Sequence, residues 1–152
     1  MNEGQLQILG RRARRCAGWR WMPGMHVIRP RLGGAGGMGI TPTHYRLVDG
    51  GGWPVPHEWG LIDIAKISDD TMLVPDLRDP ATLGCLLALV RDAVNDPALC
   101  IVSYHVGHGR WQKVVWSVDA TDQQWQQKHR LFDLPSEAEA LVAALEAAGG
   151  GA

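Results

Sequence analysis

Residues 76–91 read DLRDPATLGCLLALVR, the clearest single element of the chain. Asp79 is placed to accept hydrogen bonds from first-turn N–H groups. Pro80 suits the first helical position, where its missing N–H would have had no partner. Leu83, Leu86, Leu87 and Val90 then recur at helical spacing and form an apolar stripe that needs a partner surface. Asn95, Asp96 and Pro97 stop the helix. This signal concerns packing, and no signal of comparable clarity concerns chemistry.

On the C-terminal side, residues 99–106 and 111–119 are rich in β-branched and aromatic side chains, and Gly107, His108, Gly109 and Arg110 close them into a hairpin. Residues 120–134 are polar and lack a regular pattern. Ser136 and Glu139 form a capping-box pair before Leu141, Ala144, Leu145 and Ala148, and Gly149 ends that helix.

On the N-terminal side, residues 3–16 place Leu6, Leu9, Ala13 and Cys16 on one helical stripe, with Arg11, Arg12 and Arg15 mostly off it and Gly18 set to end the helix. Residues 25–29, 45–48, 61–67 and 72–74 read as short strands, although 61–67 also suits a helical turn. The expected fold is therefore α+β: one small domain over 1–152, with about three helices and a short, mostly antiparallel sheet. Residues 33–39, GGAGGMG, are expected to be a mobile loop, and 149–152 a frayed tail. The strand–helix alternation is too irregular for a doubly wound sheet.

The chain has 152 residues, enough for one core of ordinary size. It has no apolar run of membrane-spanning length and no signal-peptide pattern at its start, so a cytoplasmic protein without a membrane partner is expected. Cys16, Cys85 and Cys100 are odd in number and far apart, which fits reduced, mostly buried thiols.

The formal charge of −1 hides a split. Residues 1–31 hold seven arginines against Glu3, a net of +6, and the remainder carries −7. The basic first helix, with Arg11, Arg12 and Arg15, is thus a candidate nucleic-acid or protein contact. The plainer reading is that it complements the acidic remainder of the same molecule.

Residues 34–39 match G-x-G-x-x-G, but Pro42 follows where a dinucleotide site needs a helix. His105 and His108 span the hairpin tip as H-x-x-H, a weak metal candidate that lacks its third and fourth ligands; His44, His57 and Glu58 are the nearest others in type. His57 and Glu58 could pair a base with an orienting acid, but no serine sits in an elbow-like motif to serve them. Cys16 lies at the wrong end of its helix for the dipole to lower its pKa. No cofactor is expected, and a non-enzymatic role is favoured over a metal-dependent enzyme.

Seven of the ten aromatic residues are tryptophan. Trp19, Trp21, Trp53 and Trp59 lie in Pro/Gly-rich segments, and Trp19 and Trp21 would share a face if extended. They serve either as core cover for a sheet short of Phe and Leu, or as a recognition surface that stacks a base, a nucleotide or a partner side chain.

Three segments in order, GWRWMPGM (18–25), DGGGWPVP (49–56) and PDLRDPATLGCLLALVRDA (75–93), resemble pieces of small proteins encoded by tailed phages and prophages of proteobacteria. The resemblance does not extend to 33–39 or beyond about residue 95. It brings no activity with it. It implies an accessory protein that binds a host or phage macromolecule, for instance to counter a host defence system. A small-ligand or nucleotide site lined by the loop tryptophans is the alternative.

Overall fold

The computed structural model describes residues 1–29, 43–50, 60–68, 72–108 and 112–149. The chain has an α+β fold. Among the described residues the elements run α1 (Glu3–Arg14), β1 (His26–Arg29), β2 (Thr43–Val48), β3 (Leu61–Asp63), a 3-10 turn (Ile64–Lys66), β4 (Val74–Pro75), α2 (Pro80–Val94), β5 (Cys100–Val106), β6 (Lys113–Asp119), α3 (Gln123–His129) and α4 (Glu137–Gly149). The expected single sheet is in fact two, a four-stranded sheet in the order β3-β2-β1-β4 and the separate hairpin β5-β6. Pairing is antiparallel throughout except between β2 and β3.

The helix 80–94 forms as its sequence dictates. Asp79 is extended and accepts from the Thr82 N–H at 2.8 Å, and Pro80 opens the first turn. Asn95 closes the helix in the left-handed region, φ 56°. The buried face is turned from the expected one: Thr82, Leu86, Leu89 and Val90 are buried, whereas Leu83 and Leu87 are half-buried at the rim of the core. The hydroxyl of Thr82 explains part of the turn. It accepts from the His26 N–H at 2.8 Å, so α2 must present Thr82 to β1.

In α1, Asn2 and Gln5 form a reciprocal capping box that the sequence reading overlooked. Leu9 and Ala13 are buried and Leu6 and Cys16 half-buried, as the stripe requires. The helix ends at Arg14, four residues before Gly18. Gly18 acts through closeness instead: a Cβ there would lie 3.3 Å from both Ala93 Cβ and Leu145 Cδ1.

Four helices are present among the described residues, where about three were expected. The added one, α3, is short and polar, and isolated helices of that length are unstable. Asp122 caps it by accepting from the Gln124 and Trp125 N–H groups, Arg130 ends it at φ 53°, and half-buried Trp125 packs it on the core. At α4, Ser136 accepts from the Glu139 N–H at 3.2 Å, the expected cap. This helix packs against α1, α2, β5 and β6, so burial extends round Ala138, Ala140, Leu141, Val142, Ala144 and Leu145, well beyond one stripe.

One core cluster joins Leu9, Met25, Val27, Leu47, Leu73, Leu86, Leu89, Leu99, Val118, Leu131, Leu141 and Leu145 across both sheets and α1, α2 and α4. No helix among the described residues is long and apolar enough to cross a membrane. The loop 33–39 and residues 150–152 lie outside the described residues.

Candidate functional site

Among the described residues, the hairpin β5-β6 carries four of the exposed large apolar side chains, Val102, Tyr104, Val106 and Val114. Its register runs from Cys100 opposite Asp119 to Val106 opposite Lys113, with Ser103 opposite Trp116. Opposed residues share a face, and faces alternate along each strand. On one face, Ile101 and Val118 sit at the base and Val118 is fully buried in the core. On the other, Val115 and Ser117 are buried, and the Ser117 hydroxyl donates to the Leu131 carbonyl at 3.1 Å. The hairpin is thus anchored at β6.

The outer edge of β6 is closed. The Trp116 N–H donates to the Leu134 carbonyl at 2.7 Å, the Leu134 N–H returns to the Trp116 carbonyl at 2.8 Å, and the Val118 N–H donates to the Leu131 carbonyl at 2.8 Å. Among the described residues, no backbone group pairs with the outer edge of β5. Val102, Tyr104 and Val106 line one face of β5 at 40%, 38% and 38% exposure, and Val114, opposite His105, is exposed at 46% on the other face. The Tyr104 hydroxyl donates to an Asp133 carboxyl oxygen, which fixes its ring and raises the phenol pKa above the usual 10.0. Phe132, beside Asp133, is a further exposed apolar side chain. Large apolar side chains gathered on a rigid element suit a recognition role. The sequence reading found the hairpin but not this use of it, because alternation cannot distinguish a covered strand from an open edge.

The candidates singled out from sequence are scattered. Trp19 and Trp21 do share a face, meeting edge to face with ring centroids 5.3 Å apart. Both are half-buried against the core, and the Arg14 guanidinium lies 5.3 Å from the Trp21 ring centre. Both rings therefore cover part of the core. The Trp19 indole N–H is buried without a partner among the described residues. Trp53 and Trp59 lie outside the described residues, as do His57, Glu58 and the G-x-G-x-x-G run.

Arg12 is committed to Glu146 in a two-pronged pair, Nε to Oε1 at 2.9 Å and Nη2 to Oε2 at 2.7 Å. Arg20 likewise meets Asp92 at 2.6 Å. These pairs match the plainer reading of the basic segment. Arg11 and Arg15 are exposed.

His105 and His108 are exposed at the hairpin, and no group of three or more potential metal ligands occurs among the described residues. The thiols depart from expectation: Cys16, Cys85 and Cys100 are all free but only half-buried. Burial raises the pKa of Cys16, helped by nearby Glu146, and burial likewise raises that of Cys85, so neither is an activated nucleophile.

Two features escaped the sequence reading. At the start of α2, His26 Nδ1 lies 3.6 Å from Asp79 and His44 Nδ1 lies 3.7 Å from Asp76, both longer than ordinary hydrogen bonds. A depression of about 640 Å³ opens between the C-terminal end of α2 and Trp125, with Asp96 and Asp122 on its wall. Both carboxylates are engaged locally. Asp96 accepts from the Thr121 N–H at 2.7 Å and the Ala98 N–H at 3.0 Å, while Asp122 caps α3.

Hydrogen bonding sets the acid response of the chain. Burial pushes the Asp76 carboxyl up, but the hydrogen bonds from the Arg78 guanidinium and N–H outweigh it and hold its pKa below 3.8. The Thr121 N–H, with the Thr121 hydroxyl and two further N–H groups, does the same for Asp96. Folded pKa values lower than unfolded ones stabilise above the unfolded value, and that stability is lost as pH falls through the folded value. Urea midpoints should therefore hold steady down to about pH 5, where unfolded carboxylates begin to protonate, and drop below about pH 4. Asp96→Asn should show a shallower drop. A midpoint that stays level from pH 4 to pH 2 would contradict both assignments.

No protein-family model, curated protein or solved structure matches the chain.

Proposed function

We propose that the chain is a phage-borne accessory protein that acts by docking a host or phage macromolecule, and that the hairpin β5-β6 is the docking surface. The observation that carries this is the exposed apolar row Val102, Tyr104 and Val106 on a strand anchored through β6. Burying such a row on a partner is favourable in proportion to its apolar area, and the two paired strands hold it in place with little ordering left to do. Tyr104, fixed by Asp133, is the natural centre of the contact, since aromatic anchors dominate such interfaces. Phage origin rests on the segments at 18–25, 49–56 and 75–93. Blocking a host defence component is one role that such docking would serve.

The test is a photo-reactive amino acid placed at Val102, Val106 or Arg11, with the chain expressed in bacteria undergoing phage infection. Discrete covalent adducts from positions 102 and 106, absent from position 11, are the expected result. Adducts from position 11 alone would move the surface to α1 and return the basic helix to first place. The absence of adducts from all three positions would end the docking reading.

A further inference from the structure

The bonds that close β6 also fix which way every backbone group of β5 points. In β6, Trp116 and Val118 direct their N–H groups away from β5, toward Leu134 and Leu131. Alternation then turns Lys113, Val115, Ser117 and Asp119 toward β5, and these residues oppose Val106, Tyr104, Val102 and Cys100. The remaining residues of β5, Ile101, Ser103 and His105, therefore aim their N–H and C=O groups at the free edge. No backbone group among the described residues meets them there.

We propose that this edge pairs antiparallel with β5 of a second copy about a two-fold axis at Ser103, joining two hairpins into one four-stranded sheet. The outward set is symmetric about Ser103. Setting Ser103 against Ser103 of the other copy places Ile101 against His105 and His105 against Ile101, so all three outward pairs are of the doubly hydrogen-bonded kind and none is left over. The strand carries none of the usual protections of an edge: CIVSYHV contains no Lys, Arg, Asp, Glu or Pro, and its register with β6 runs without a bulge.

Charge favours the same arrangement. Each hairpin has exposed Lys113 at its tip and exposed Asp119 at its base. Antiparallel pairing sets the tip of one beside the base of the other, with Lys113 and the other copy's Asp119 in one row of the joined sheet. Those two lie on the outer strands, about 14 Å apart at ordinary strand spacing, so salt screens the attraction and it selects orientation more than strength. The inference goes beyond the docking reading and does not depend on it. Val102, Tyr104 and Val106 stay on one face of the joined sheet, beside buried Val115 and Ser117, and that face would carry two such rows.

The experiment is sedimentation equilibrium of the full chain over a wide concentration range, together with Ser103→Lys, Ser103→Cys and His105→Cys. The wild-type mass should rise from 16.6 kDa toward twice that value. Ser103→Lys sets two ammonium groups against each other across the axis and should stay monomeric with an unchanged circular dichroism spectrum. Mild oxidation should join Ser103→Cys chains through position 103, because doubly bonded antiparallel partners lie about 5.5 Å apart at Cα, within disulfide reach. His105→Cys chains should not join through position 105, since those two sites would be about 14 Å apart. A wild-type chain that stays monomeric throughout, a Ser103→Lys chain that associates as the wild type does, or cross-linking equal at 103 and 105 would overturn the proposal. If Ser103→Lys fails to fold, the two cysteine variants decide alone.

Discussion

Leu86→Ala should lower the unfolding free energy by about 2–5 kcal/mol. Leu86 is fully buried in the face of α2 that meets the core, its neighbours belong to one hydrophobic cluster, and α2 packs most extensively on α4. Truncating it removes the transfer free energy of the lost atoms and leaves a cavity that those neighbours can only partly fill. With total stability typically about 5–15 kcal/mol, such a loss is large. Urea denaturation with an unchanged slope and a lower midpoint is the expected record. Leu87→Ala, at the half-buried rim, should cost clearly less. Equal effects at the two positions would mean that the buried face of α2 has been assigned the wrong rotation.

Gly10→Val should destabilise by about 1–3 kcal/mol, against the ordinary trend that replacing a helical glycine helps. Gly10 lies in α1 where that helix crosses β4. A Cβ there would lie 2.5 Å from Val74 Cγ1 and 3.1 Å from the Pro75 carbonyl oxygen. Val74 is buried, stiff at χ1 and paired with Ile28, so it has little room to retreat. Two more methyl groups force α1 off the sheet edge. Thermal unfolding of Gly10→Val beside Gly84→Ala separates the two effects, because a Cβ at Gly84 meets nothing within 4 Å. The first should melt lower than wild type and the second higher. A higher melting temperature for Gly10→Val would show that α1 and β4 are not in contact.

How legible an element was depended on how locally it is determined. The ends of α2 rest on Asp79, Pro80 and Asn95, all of which act within a few residues, and both ends were read correctly. Along 61–67 both readings hold in part, with a short strand followed by a 3-10 turn that Asp63 caps. The helix α3 was missed because QQWQQKH has no stripe. Its one local signal is the Asp122 cap, and what holds it is Trp125 on a core assembled from distant residues. The candidate site was legible only as a hairpin. The exposure of β5 depends on residues 131–134 pairing with β6 and not with β5, a choice between two edges of similar sequence character.

The sequence by itself determined the three helices with an apolar stripe, α1, α2 and α4, the hairpin, the α+β class and the charge split, since each follows from spacing, turn chemistry or counting. Only the tertiary structure decided, among the described residues, that the strands form two sheets, that α2 turns toward Thr82, that Trp19 and Trp21 pack on the core, and that the outer edge of β5 has no strand beside it. These outcomes depend on which surfaces meet once chain entropy has been overcome by burial, and burial is a property of the whole assembly.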